Sequence, residues 1–281
     1  MTATLLRTPW ETDIPGPDEF HGVELDMEKP QSARVEDYLL RGLTNFAADR
    51  EAAGLIIGLD AKERTQARQR KGFRVSAMSY LAGLGVSQFV DVGCGLPLPE
   101  WWRRRHAHEV HQLAGPGSRV VHIDRDPIVM THARALLAGC GPAAIGHLEA
   151  DFTEPESVLE AELPLDLGQP VVLAFFDVLH EVEHARQVVA AYTDAVAPGS
   201  MLVISHRSRD NAQGRQTAAG HEAAGLAYTA RSREEFTALF DGWHLLGPGI
   251  APAPVWSASL ARGSAKAAAR ASVYGAIAVK R

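Results

Sequence analysis

The stretch Asp91-Val-Gly-Cys-Gly95 puts a carboxylate two residues ahead of a Gly-x-Gly turn, at the end of a short β-favouring run of Phe89, Val90 and Val92. Residues without a side chain suit a point where a buried strand hands over to a ligand. A Cβ there would keep the ligand off the backbone and would penalise positive φ, while free amides and a helix N-terminus can face polar groups. A dinucleotide reader needs a third glycine, and Gly93-Cys-Gly95-Leu-Pro-Leu98 lacks it. An acid two residues before Gly-x-Gly fits S-adenosylmethionine better, which makes Asp91, Gly93, Cys94 and Gly95 candidate cofactor residues. The competing use of the same residues is an ordinary turn between a strand and a helix.

Further strand ends offer groups of the same kind. Val120-Val-His-Ile123 is followed by Asp124, which can accept both hydroxyl protons of a ribose, with Arg125 beside it. Asp126-Pro127 suits the alternative task of capping the next helix. Asp151 can accept from an adenine amino group and Phe152 can stack on the ring. Val171 to Phe176 runs into Asp177-Val-Leu-His180, a candidate for the methionine end of the cofactor and for the acceptor, and a later strand ends in Ser205-His206. Methyl transfer from a sulfonium is a direct displacement, so the protein must align the groups and exclude water. A base is needed only where the acceptor loses a proton. His180 is the first candidate base, followed by Tyr38, His206 and His108. His180-Glu-Val-Glu-His184 also matches the His-Glu-x-x-His zinc pattern. Its first histidine closes an apolar strand and no third ligand follows, so no metal is expected. A zinc hydrolase is the least favoured reading, behind a non-catalytic module that only binds S-adenosylmethionine.

These residues need a frame that brings strand ends together. From residue 88 onward the pattern alternates, with strands expected at 88–93, 119–124, 145–149, 171–176 and 201–206 and helices near 100–114, 127–138, 154–161 and 184–196. A helix near 232–240 and strands near 243–246 and 273–279 follow. The expected fold is α/β: a doubly wound, mostly parallel seven-stranded Rossmann-like sheet, finished by a hairpin that inserts one antiparallel strand. In such sheets the ligand lies outside the carboxyl ends of the strands where their order reverses. Ahead of it, residues 1–30 read as a loosely held leader rich in Pro, Gly and acids. Residues 31–85 read as an N-terminal helical cap, with helices opened by Ser32 and by Thr44 or Asn45 and a third over 61–83. Residues 86–281 form the cofactor domain. Gly247 to Pro254 is a turn-rich connection, and 261–271 is low in complexity.

The 281 residues carry 34 acidic and 28 basic side chains, a net −6, which speaks against a nucleic-acid backbone as the main partner. The two cysteines, Cys94 and Cys140, make no disulfide framework and suit a reducing, cytoplasmic setting. Neither a signal peptide nor a membrane-length apolar run is present. The partner expected is a small-molecule acceptor, with no membrane and no oligomeric state specified. Trp101, Trp102, Phe175, Phe176 and Trp256 are candidates for an aromatic acceptor pocket, or for core.

Taken together, Ala33-Arg-Val-Glu-Asp-Tyr-Leu-Leu40, Asn45 to Arg50, Gln88 to Pro97, His108-Glu-Val110, Val121 to Pro127, Ala150-Asp151, Val178-Leu-His180 and Ala197 to His206 resemble the actinobacterial S-adenosylmethionine-dependent methyltransferase family long catalogued as a domain of unknown function. The likeness covers roughly residues 25 to 281. It implies a class I methyltransferase fold whose N-terminal helices close over bound S-adenosylmethionine, with S-adenosylhomocysteine as product. The sequence departs from the family where Glu36 replaces the usual Tyr, Arg41-Gly-Leu43 a Gly-Gly-Lys segment, Arg70-Lys71 the usual Asn-Arg, and Cys94 the usual Thr. About two extra residues lie between Pro97 and His108. These departures fall in the cap and beside the cofactor turn, where the acceptor is chosen.

Overall fold

The computed structural model describes residues 26–97, 117–137, 144–256 and 272–281. Residues 1–25, the helix near 100–114 with Trp101, Trp102, His106, His108 and His111, the Cys140 loop and the stretch 261–271 lie outside the described residues. Three helices come first: α1 (Ser32–Leu39), α2 (Ala47–Leu59) and α3 (Glu63–Gly83). The alternating part follows as β1 (Gln88–Val92), β2 (Arg119–Asp124), α4 (Pro127–Leu137), β3 (Ala144–Glu149), α5 (Pro155–Leu159), β4 (Val172–Phe176), α6 (Ala185–Asp194) and β5 (Met201–Arg207). The chain ends with α7 (Ala212–Ala223), α8 (Arg233–Thr237), β6 (His244–Leu245), β7 (Ala251–Pro252) and β8 (Val273–Val279).

The strands run in the order β3-β2-β1-β4-β5-β8-β6, parallel from β3 through β5 and antiparallel between β5 and β8. These seven strands match the expected doubly wound sheet. An eighth, β7, pairs with β8 from within the turn-rich connection after Gly247. The order reverses between β1 and β4, which is where the ligand crevice of such a sheet lies.

Strand alternation divides the core into two layers, one on each face of the sheet. Val90, Val92, Ile123, Leu173 and Phe175 point to the face covered by α6, where Phe175 meets the Tyr192 ring at 5.5 Å. Phe89, Ala174, Phe176 and Val203 point to the other face, against Phe73, Ala77, Met78 and Leu81 of α3. Trp256 is fully buried on that same face, 6.2 Å from Phe73, so it is core and not pocket wall.

The helix starts differ from expectation. Gln31, not Ser32, occupies the cap position of α1 and makes no side-chain cap bond. Neither Thr44 nor Asn45 caps α2; the fully buried Asp49 does the tying instead, its carboxylate accepting the Phe46 amide at 2.8 Å and the Gln31 amide at 3.0 Å. One carboxylate thereby fixes the starts of both helices to each other, supported by Arg34 at 3.2 Å.

The helix α7 was not expected from the sequence. Its apolar face is weak because it docks by closeness and polar contacts. A Cβ on Gly220 would stand 2.9 Å from the Ile56 Cα of α2, and the Asp60 carboxylate after α2 accepts from Thr217 at 2.8 Å and Gln213 at 3.0 Å. Among the described residues no helix is long and apolar enough to cross a membrane.

Candidate functional site

A cleft of about 280 Å3 opens above the carboxyl ends of β1, β2 and β4. Ser32, Ala33 and Glu36, one face of α1, form its roof. The glycine turn forms its floor, and both glycines have left-handed backbone, with φ +62° at Gly93 and +65° at Gly95. Their tasks differ. A Cβ at Gly93 would stand 2.2 Å from Val178 Cγ2, so this residue is small for packing between two strand ends. A Cβ at Gly95 would meet no protein atom within 4 Å. Gly95 is therefore the place where a ligand can lie against bare backbone. Cys94 is buried and also lines the cleft, its amide bonded to the Ile123 carbonyl at 3.0 Å.

Asp124 stands at the cleft with its two carboxylate oxygens on two turns. One accepts the Gly95 amide at 2.9 Å and the other the Asp126 amide at 3.0 Å. Burial nevertheless raises its pKa above the usual carboxylate value. Each oxygen keeps a further lone pair for a ligand hydroxyl. Asp126 caps α4 by accepting the Ile128 amide at 2.8 Å. Phe152 is buried and lines the cleft, and its carbonyl accepts from the Tyr192 hydroxyl at 3.1 Å.

Asp151 is not brought to the cleft wall. It is half-exposed, held by Thr153 at 2.7 and 2.9 Å and by Arg125 at 3.4 Å. Arg125 lines the cleft and also bonds Glu181 at 2.8 Å, on the far side of the opening.

Asp91 does not face the cleft either. Strand parity puts it on the same side of β1 as Phe89, toward α3, where it accepts from Arg74 at 2.6 Å and meets His122 at 3.0 Å. Burial alone would raise its pKa, but Arg74 and His122 outweigh that and hold it low. Arg74 also donates to the Cys94 carbonyl at 2.9 Å. Asp91 thus supports the glycine turn from behind, through Arg74.

The other end of the cleft is ionic. Asp177, just past β4, has a left-handed backbone at φ +53°, uncommon for a residue with a side chain. Its carboxylate is taken by Arg207 at 3.0 to 3.2 Å and by Arg70 at 2.7 Å. Burial would raise its pKa, but the two guanidiniums prevail and keep it below the carboxylate range. Arg70 further reaches Glu36 of α1 at 2.6 Å and Glu63 at 2.9 Å, and Arg207 reaches Glu63 at 3.3 Å. Burial raises the pKa of Glu63 despite these partners. Two of the positions at which this sequence departs from its resemblance, Glu36 and Arg70, are therefore each other's partner.

His180 lines this end of the cleft and is 2% exposed. Its Nδ1 lies 4.0 Å from Asp177, and burial, then Arg207, push its pKa well below the ordinary histidine value. It belongs to a short turn, Leu179–Glu181, whereas His184 precedes α6, with the extended Val182 between them. The two imidazoles are thus not one turn apart on a helix, and no group of three metal-ligating side chains occurs among the described residues.

Two further candidate bases are placed elsewhere. Tyr38 points away from the roof face of α1 and packs under Arg64, 4.7 Å from its ring. His206 is buried with both ring nitrogens engaged, by the Arg207 carbonyl at 2.7 Å and by Arg231 at 2.6 Å. Phe176 is the one described aromatic of the proposed acceptor set on the cleft. The sequence named Glu36 and Arg70 only as departures from the family resemblance and gave no signal for Glu63, Arg207 or Tyr228, whose ring lies 5.3 Å from that of His180.

A parallel sheet reversing between β1 and β4, with a bare glycine and a carboxylate at the reversal, defines a Rossmann-like methyltransferase fold. The chain belongs to the S-adenosyl methyltransferase family, whose model matches residues 18–281. S-adenosylmethionine is the cofactor of that family, and the room at Gly95 beside Asp124 fits it. The chain is similar to a DUF574 family protein from Streptomyces avermitilis, at 30% identity over 92% of this chain and 100% of that one, with a TM-score of 0.82. It is also similar to a candidate methyltransferase from Thermobifida fusca, at 31% identity over 92% of this chain and 97% of that one, with a TM-score of 0.78. Comparison with curated proteins gave no match.

Proposed function

We propose that this chain methylates a small-molecule acceptor. The observation that carries the reading is the roof: α1 lies over the cleft through Ser32, Ala33 and Glu36, so the atom that is methylated has to reach the cofactor beneath a helix. A small molecule can enter whole, whereas a polymer would have to insert an extended side chain or a flipped base.

S-adenosylmethionine supplies an activated methyl group, so the residues of this chain chiefly bind, orient and exclude water. Gly95 offers its backbone, Asp124 accepts ribose hydroxyls, and Phe152 flanks the adenine, with Gly93 and Cys94 shaping the turn. Arg125 with Asp151 closes the rim. Asp91, through Arg74, acts as a positioning residue. At the ionic end, Asp177 orders Arg207, and His180 accepts a proton when the acceptor atom carries one. Its depressed pKa leaves it neutral and able to do so at neutral pH.

The test is conversion of S-adenosylmethionine to S-adenosylhomocysteine across a library of small hydroxylated, amino and carboxylated compounds. Turnover of at least one of them is expected. Cofactor binding without turnover of any would favour a chain that only holds the cofactor. With an acceptor in hand, His180→Ala is expected to lower kcat by about 100-fold, the size of a general-base contribution, with cofactor affinity unchanged; equal kcat rejects the role.

A further inference from the structure

Beside the ionic end of the cleft, the buried His180 and the half-buried Tyr228 have hydrogen-bonding capacity that no group among the described residues uses. Among the described residues neither ring nitrogen of His180 has a hydrogen-bond partner, and neither does the Tyr228 hydroxyl, although all three atoms are sealed from solvent. The two rings lie 5.3 Å apart between centroids. Burying an unpaired polar group costs about 1–3 kcal/mol, and such groups gathered in one place call for a physical reason.

Most groups around them are engaged, although Glu63 Oε2 and Arg70 Nη1 also have no hydrogen-bond partner among the described residues. His221 stacks on Tyr228 at 4.3 Å, with Nδ1 on the Thr217 carbonyl at 2.8 Å and Nε2 on Arg207 at 2.8 Å. The carbonyl requires the proton on Nδ1 and the guanidinium requires a lone pair on Nε2, so this ring is neutral, in keeping with a pKa lowered to about 3 by burial and by Arg207. Arg207 and Arg70 are shared among Asp177, Glu36 and Glu63, three carboxylates for two guanidiniums. The cluster thus holds one carboxylate more than it has guanidiniums, and burial raises the pKa of Glu63 within it. Of the unpaired groups in this cluster, His180 is the one on the cleft wall, with the Tyr228 ring beside it.

We propose that His180 and Tyr228 form the polar end of the acceptor subsite and that the group they receive is an uncharged hydroxyl. This rests on the reading of the cleft as the S-adenosylmethionine site and narrows its acceptor. A hydroxyl can donate to the lone pair of one His180 ring nitrogen, Nε2, and accept from the phenol, while Nδ1 faces Asp177 at 4.0 Å. A carboxylate has only lone pairs and adds charge where carboxylates already outnumber guanidiniums. An ammonium has only donors and lies near Arg207, whose guanidinium carbon is 5.5 Å from the Tyr228 ring. Both mismatches leave a buried group unpaired. His180 already forms cleft wall, so its ring turns toward the entering hydroxyl, and Tyr228 behind it becomes the specificity residue.

The protein loaded with S-adenosylhomocysteine is titrated with phenol, cyclohexanol, benzoate and benzylammonium, followed by calorimetry and ligand-observed NMR. The two hydroxyl probes are expected to bind at least about tenfold more tightly than the two ions. Tyr228→Phe is expected to weaken the hydroxyl probes about fivefold to tenfold, the loss of one hydrogen bond, with the affinity for S-adenosylhomocysteine unchanged. A preference for either ion, equal binding of all four, no binding of the hydroxyl probes at millimolar concentration, or an unaltered Tyr228→Phe overturns the proposal. In crystals soaked with phenol, its oxygen between the His180 ring and the Tyr228 hydroxyl supports the proposal, and phenol held only elsewhere overturns it. Lack of heat with S-adenosylhomocysteine itself is a different failure, that of the cofactor reading.

Discussion

The two ends of the cleft are built in opposite ways. At the Gly95 end, strand tips and the turns that follow them do the work, and Asp124 is fixed by backbone amides at 2.9 and 3.0 Å. At the Asp177 end, long side chains from α1, α3, β5 and α7 meet over one carboxylate, with Arg207 bridging to His221 at 2.8 Å. The first arrangement is local and depends on conformation. The second is assembled from distant segments and depends on charge balance in a dry site, where a missing partner is costly. The stability of the Gly95 end is accordingly expected to tolerate changes of charge better than changes of shape, and that of the Asp177 end the reverse.

The largest effect is expected from Arg207→Gln. It leaves Asp177 and Glu63 buried beside a single guanidinium and should cost about 3–5 kcal/mol of stability, as breaking a buried pair does. Glu36→Gln, which removes only the most exposed carboxylate of the group, should cost about 1 kcal/mol. Urea unfolding of both variants checks this, and equal losses would mean that charge balance does not govern that end. Next comes Gly93→Ala, which adds a contact at 2.2 Å to a left-handed backbone and should cost about 2–4 kcal/mol. Gly95→Ala faces open space, so about 1 kcal/mol of stability is expected together with a clear loss of S-adenosylhomocysteine affinity. If Gly95→Ala bound the ligand as wild type does, the cradle would lie elsewhere. Asp124→Asn should weaken S-adenosylhomocysteine about tenfold to 100-fold, from the charge-assisted bonds lost, and Asp151→Asn no more than a few-fold. The reverse order would mean that the rim carboxylate contributes more to ligand binding than Asp124 does.

A further effect is graded with pH. His206 and His221 have folded pKa values lowered to about 4 and about 3 from 6.5, by burial first and then by Arg231 and Arg207 respectively. Unfolded histidines take up protons below pH 6.5 that these two refuse, so stability is full above that value and is lost as pH falls toward 4. The slope is up to about 1.4 kcal/mol per pH unit for each residue, with Glu63 and Glu181, raised by burial, opposing it. Thermal midpoints measured between pH 7.5 and 4.5 should decline on the acid side. A flat profile would show that the acids cancel the histidines.

Sequence and structure agree where the information is local. Strand limits and the residues after each strand were legible, which is why Gly95, Asp124 and Phe152 stand on the cleft. Asp91 was misplaced because a strand tip carries residues on two faces, and its parity with Phe89 sends it to α3. Tyr38 follows Glu36 by two positions, about 200° round a helix, hence the opposite side of α1. The partners Glu36, Glu63, Arg70, Arg207 and Tyr228 span the chain from α1 to the segment after α7. No spacing rule links them, and only the folded sheet brings them together. For α7, hydropathy failed because contact at Gly220 needs absence of a side chain rather than presence of an apolar one.

The seat of α7 on α2 has an evolutionary and engineering consequence. Two segments some 150 positions apart share a seam that a single added methyl at Gly220 would spoil, so the leading helices are not a cassette that can be traded freely among related enzymes. A chimera that imports residues 26–83 from a relative has to import 212–223 with them, and the pair is inherited as one block although the gene separates them.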